Sequence, residues 1–144
     1  MRTLRRIRVA STDDEGSVLP MILGYALLAA ALVFVCVCAT DLYIAQKRLD
    51  SLADAAALAG ADGFTLHAEG AQVRAELTDD GVRDQADAVV GAMDSEATLV
   101  SADTPDGVSA RITVAAAWHP PLFSAFVPDG VALEATATSR TALR

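Results

Sequence analysis

Two histidines and two cysteines are all this chain has of the residues that most often bind zinc, and their positions keep them apart. His67 and His119 are far from one another in sequence, and Cys36 and Cys38 both fall inside one long uncharged run, so no zinc set is completed by spacing. Residues two apart on a helix point to different faces, so Cys36 and Cys38 cannot easily pair; they read as small hydrophobes. The side chains before each cysteine (Phe34-Val35 and Cys36-Val37) are not the small ones of a lipoprotein signal. A Gly-rich phosphate loop and a serine elbow are both missing. Carboxylates are plentiful but scattered. Asp79-Asp80 and Asp84-Asp87 read as helix-start charges and a solvated face rather than a divalent-ion site. These absences predict a chain that is not an enzyme, with no cofactor, no metal and no small-molecule substrate. Basic residues are also scarce, 11 against 19 acidic for a net charge of −8, which argues against nucleic acid as a partner.

What the chain has instead is an uncharged run from Ser17 to Thr40, longer than the roughly 20 apolar residues a helix needs to cross the hydrocarbon core. It divides the charge. Arg2, Arg5, Arg6 and Arg8 precede it, offset in part by Asp13, Asp14 and Glu15, whereas 16 acidic and 7 basic residues follow it. The positive-inside tendency therefore predicts a cytoplasmic N-terminus and an extracytoplasmic C-terminal portion in a cell membrane, with a single pass. Ser17 can cap the helix start and Pro20 falls in the first turn, where a missing donor costs little. The rival reading, a secretory signal cut after Ala39, asks for a shorter apolar core.

No helix breaker follows the run. Leu42, Leu49 and Ala56 recur every seven residues, as do Ala45, Leu52 and Ala59, beside Ala53 and Gly60. Asp41, Lys47, Asp50 and Asp54 occupy other positions, and Gly60 and Gly63 supply the stop. The spacing predicts one helix from about Val18 to about Ala61, half in lipid and half outside. Small residues spaced by four admit a close neighbour. Leu42, Leu49, Leu52, Ala53, Ala56 and Gly60 are accordingly the candidate helix-packing residues.

Glu15-Gly16-Ser17 before the span, and Gln46, Leu49, Asp50 and the string Ala53-Asp54-Ala55-Ala56-Ala57-Leu58-Ala59-Gly60-Ala61 after it, resemble the N-terminal region of TadE/TadG-like proteins. These are membrane-anchored components of the Flp pilus, or tight-adherence, assembly machinery of bacteria. The resemblance covers about a third of the chain. It implies a structural role among other membrane proteins of pilus or secretion assembly, with self-association as a further option. It also implies an anchor similar to the N-terminal helix of pilins and pseudopilins. Such helices can be cut by a prepilin peptidase after a glycine behind a basic leader, which makes Gly16 and Ser17 the candidate processing site. Pilin-like substrates usually carry a glutamate five residues after the cut, where this chain has Met21. That difference favours a stable anchor over a minor pseudopilin released into a filament.

Beyond Gly63 the period changes. Phe64, Leu66 and Ala68, then Val73, Ala75 and Leu77, alternate about a turn at Glu69-Gly70 and predict a hairpin. Val82, Ala86, Val89, Val90 and Met93 predict a helix over about Gly81 to Met93, behind the capping groups of Thr78-Asp79-Asp80. Two Pro-Asp-Gly turns, at 105–107 and 128–130, separate three strands: Thr98–Ala102, Val108–Trp118 and Val131–Arg140. Val108, Ala110, Ile112, Val114, Ala116 and Trp118 form the expected buried face of the middle strand, with Trp118 as core. Leu122, Phe123 and Phe126 make an apolar patch in the connection before the last strand, a candidate partner- or membrane-contacting loop.

The fold class expected is α+β, one helix on a three-stranded antiparallel sheet with an extra hairpin, behind the long helix. The expected organisation is a leader over 1–16, a transmembrane helix over 17–40, an alanine-rich extension over 41–61 and a small domain over 62–144.

Overall fold

The computed structural model describes residues 18–69, 72–93, 96–121, 124 and 127–140. Helix α1 runs without interruption over Val18–Asp62. A two-stranded hairpin follows, β1 (Thr65–Glu69) with β2 (Gln72–Glu76), paired antiparallel from Thr65↔Glu76 to Glu69↔Gln72. Helix α2 (Asp79–Ala92) leads into β3 (Thr98–Asp103), β4 (Ser109–Trp118) and β5 (Val131–Arg140), an antiparallel sheet in the order β3-β4-β5. The α+β class, the single long helix, the hairpin, the second helix and the three-stranded meander all match the sequence reading. By compactness the chain divides between Val37 and Cys38.

Each boundary has a local cause. At the end of α1 the Gly63 amide donates to the Gly60 carbonyl at 3.1 Å, closing the last turn where two glycines remove side-chain bulk. Helix α2 starts at Thr78, whose hydroxyl accepts from the Gly81 amide at 3.2 Å. Asp79 and Asp80 place negative charge at the positive end of that helix. The first Pro-Asp-Gly turn is held by Asp106. Its carboxylate accepts from the Val108 amide at 3.1 Å, the Ser109 amide at 2.6 Å and the Ser109 hydroxyl at 2.9 Å. Gly107 there has φ +72°, and Gly130 in the second turn has φ +66°, a region that costs any residue with a Cβ.

The core lies on one face of the sheet. Ala102, Ile112 and Ala137 form a cross-strand row, with Val114 and Ala135 paired in the next row. These side chains join one buried cluster with Leu49, Leu52, Ala53, Ala56, Ala57 and Ala61 of α1 and Val82, Ala86 and Val90 of α2. Much of this interface is alanine. Its stability therefore depends on close approach more than on large side chains, and among the described residues Ile112, Val82 and Val114 are the bulkiest that are fully buried.

The middle strand departs from simple alternation. Ser109 and Thr113 are buried although they sit on the polar face, and Val108 is exposed just before the strand begins. The Thr113 and Thr136 hydroxyls hydrogen-bond each other at 2.9 Å between paired residues, which lets a central strand cover a polar side chain without losing its bond. Ser109 is enclosed by the Asp106 turn and by the Arg140 Nε, which donates to its hydroxyl at 3.2 Å.

Candidate functional site

The structure offers two surfaces, one on each half of α1. The first is the apolar half. From Val18 to Val37 twelve large hydrophobic side chains are 52–75% exposed, Phe34 is half-buried, and none of the most apolar stretch is buried inside the protein. Leaving about a dozen such side chains in water rather than in an apolar medium would cost on the order of 20 kcal/mol, more than a small domain's net stability. A core helix of a soluble protein would be covered. By length and composition this helix can cross a membrane, and the exposure of its apolar side chains supports anchoring there. Cys36 is exposed and Cys38 half-buried, as expected for helix positions two apart.

The second surface is the outer half, from Cys38 to Asp62, where the structure places the predicted packing residues. Leu49, Leu52, Ala53, Ala56 and Gly60 are all buried, and Leu42 is half-buried. They come together on one face and meet the chain's own domain. A Cβ built on Gly60 would lie 3.1 Å from Val82 Cγ1 and 3.2 Å from Ala110 Cβ, so only a hydrogen fits there without displacement. Past the helix end the same closeness continues through backbone. A Cβ on Gly63 would come 2.7 Å from the Gly81 carbonyl oxygen, and one on Gly81 would come 2.8 Å from that of Gly63.

Polar contacts fix the register of this docking. Gln46 Nε2 donates to the Glu134 carbonyl of β5 at 3.1 Å and to Asp50 Oδ1 at 3.0 Å. Lys47 Nζ donates to Asp50 Oδ2 at 2.9 Å. The bond from Lys47, and then that from Gln46, hold the Asp50 carboxyl below its ordinary value, while the same carboxylate raises Lys47. At the inner end of this half, Trp118 Nε1 donates to Asp41 Oδ2 at 2.8 Å, tying the last residue of β4 to the helix. Trp118 is thus half-buried at a rim and not enclosed in the core, because its indole N–H needs a partner that the alanine-rich interior lacks. Tyr43, Lys47, Met93, Trp118, His119 and Leu133 line a groove of about 850 Å³ beside it.

The remaining predicted site residues, Gly16 and Ser17 of the processing site and Leu122, Phe123 and Phe126 of the loop, lie outside the described residues. Among the described residues no group of three or more His, Cys, Asp or Glu side chains is placed to hold a metal ion. Sequence reasoning missed the Gln46–Glu134 clamp and the Asp41–Trp118 tie. The second had a signal: the sole tryptophan ends a strand, and Asp41 is the first charged residue after the uncharged run.

The class defined by these features is an α+β protein with one long N-terminal helix, apolar over residues 18–40, whose outer half packs into the core of the domain. Residues 16–63 match the profile of the family described as "Putative Flp pilus-assembly TadE/G-like", a span that begins two residues before α1 and ends one residue after it. No curated protein and no solved structure matches the chain.

Proposed function

We propose that this protein is a membrane-anchored structural component of Flp-type pilus or tight-adherence secretion assembly, with its N-terminus in the cytoplasm and the domain of residues 62–144 outside. The coincidence of the family match with α1 carries the reading, since the matched segment is the anchor together with the face that seats the domain. The work proposed is mechanical: α1 holds the domain at the membrane and presents it to other membrane proteins of the assembly.

Intermolecular contact then falls to surfaces that the protein leaves open. Ala56 and Gly60 face the chain's own core, so leucine at those positions would disturb the domain before it tested any partner. Gly24 is different. A Cβ built there meets nothing within 4 Å, and a glycine on an open apolar helix lets a second helix approach closely. The test is copurification of assembly proteins from pilus-forming membranes with the native chain and with Gly24→Leu. Loss of those proteins, with the domain still folded, supports helix–helix contact within the bilayer. Unchanged recovery with both Gly24→Leu and the surface variant Leu58→Ser counts against partners on either exposed helix face.

A second reading, a minor pseudopilin cut after Gly16 and entering a filament, rests on the basic leader and the Gly16-Ser17 step, with Met21 against it. A secreted or anchored binding domain unrelated to pili is the third. The mature N-terminus separates them.

A further inference from the structure

The uncharged run ends at Thr40, and Asp41 is the first ionisable residue beyond it. Trp118 is hydrogen-bonded to that residue, so the end of β4 sits at the level of α1 where the run stops. Tyr43 is 63% exposed and Ile44 42% exposed within the next turn, and His119 continues the rim on the strand side. Lys47 Nζ lies 5.9 Å from the centroid of the Tyr43 ring, with Arg48 exposed next to it.

Heights along the helix decide what this rim can touch. The headgroup layer on each side of a bilayer is about 5–7 Å thick. At about 1.5 Å per residue, Asp41 to Tyr43 rise less than about 5 Å above Thr40, and Lys47 and Arg48 about 10–12 Å; tilt only shortens these heights. With the hydrocarbon boundary set at Thr40, the indole and phenol rings would fall inside the headgroup layer, and Arg48 would be long enough to reach down to it along its apolar stem, while Lys47 is held by Asp50. Tryptophan and tyrosine are the residues that settle at that depth, with the ring against glycerol and acyl carbon and the N–H or O–H in the polar layer. Acidic neighbours (Asp41, Asp50, Glu96 and Glu134) offset the local positive charge, so ring burial rather than charge supplies the attraction.

We propose that the corner formed by Tyr43, Ile44, Lys47, Trp118 and His119 is a lipid-contacting rim that rests in the headgroup layer of the bilayer α1 crosses, with Trp118 as its interfacial anchor. The proposal rests on the membrane-anchored reading of α1. It gives the Asp41–Trp118 bond a function: it holds the indole at the rim, beside Tyr43 and Ile44.

The chain has one tryptophan, so its fluorescence reports this site alone. The full chain is reconstituted into phosphatidylcholine–phosphatidylglycerol vesicles, some carrying lipids brominated near the glycerol and others near the chain ends. Bromines near the glycerol are expected to quench Trp118 about threefold more than those near the chain ends, as a ring at interfacial depth requires. Tyr43→Ser combined with Ile44→Ser, both on exposed positions, is expected to weaken that quenching while the domain stays folded. Carbonate washing of the same vesicles separates the two ideas. A chain that stays inserted but whose Trp118 is open to aqueous iodide and untouched by either bromolipid overturns the rim and leaves the anchor standing. A chain stripped from the vesicles overturns both.

Discussion

Alanine and glycine carry the specificity of this fold where larger residues carry it in most cores. Ala56 is fully buried, and a methyl group on Gly60 would crowd Val82 and Ala110 and push them apart by a few tenths of an ångström. Replacing Ala56 by Leu should destabilise the domain by about 1–3 kcal/mol, the usual cost of overpacking. For a domain of this size, thermal unfolding of the chain in detergent micelles should show this as a fall in Tm of several degrees. An unchanged Tm would mean that the helix does not dock as described. Gly130 should be similarly intolerant. Its φ is +66° and a Cβ there would sit 2.9 Å from the Trp118 carbonyl oxygen, so Gly130→Ala should cost on the order of 1–3 kcal/mol. Gly107, also at positive φ, has open space around it, and alanine there should cost only about 1 kcal/mol. The order of the two variants is the informative result.

Asp106 brings charge into the account. The amide of Val108 first, then the Ser109 hydroxyl and amide and the Arg140 guanidinium, hold its carboxyl below the ordinary value, against a smaller opposing effect of burial. Because the folded value lies below the unfolded one, the stability this group contributes is fully present above the ordinary carboxylate range near about 4 and is lost as pH falls through the folded value. Acid titration of the native chain should therefore show stability declining below about pH 4, and Asp106→Asn should be less stable at neutral pH with a shallower decline. A variant as pH-sensitive as the native chain would remove Asp106 from this role.

At the scale of elements, α1 is one helix with two kinds of surface. Its inner half displays apolar side chains all round, whereas its outer half buries one face and leaves Lys47, Arg48, Asp54 and Leu58 on the other. The periods that mark this change were readable in the sequence, as were the hairpin, α2 and all three strands, because apolar alternation and Pro-Asp-Gly turns are local signals. The heptad seam ran through Leu49, Leu52 and Ala56, which are buried, but also through Leu42, Ala45 and Ala59, which are only half-buried, and it passed over the buried Ala57 and Ala61. It could not say what the seam packs against, since Leu49, Leu52 and Ala56 would look the same facing a neighbouring protein or the protein's own sheet. The clamp from Gln46 to the Glu134 carbonyl spans 88 residues and had no local signal at all. Gln46→Ala should loosen this end of the helix by about 1 kcal/mol, read as faster amide exchange near residues 133–135 with the far end of the sheet unaffected. Equal exchange in both proteins would leave the clamp without a stabilising role.

For the molecule as a whole, the family match and α1 cover nearly the same residues, so what resembles a TadE/G-like pilus-assembly protein is the long apolar helix plus the face that seats the domain. The domain that follows carries the acidic surface and forms the remainder of the fold around that seat. The reading as a stable anchor depends on residues 18–40 remaining attached to it. The most direct measurement is the N-terminal sequence and mass of the chain recovered from carbonate-washed membranes of the native host. A chain retained in the membrane and beginning at Met1 is the predicted result. One beginning at Ser17 would transfer the account to a processed pseudopilin, and a soluble chain beginning at Thr40 would contradict it.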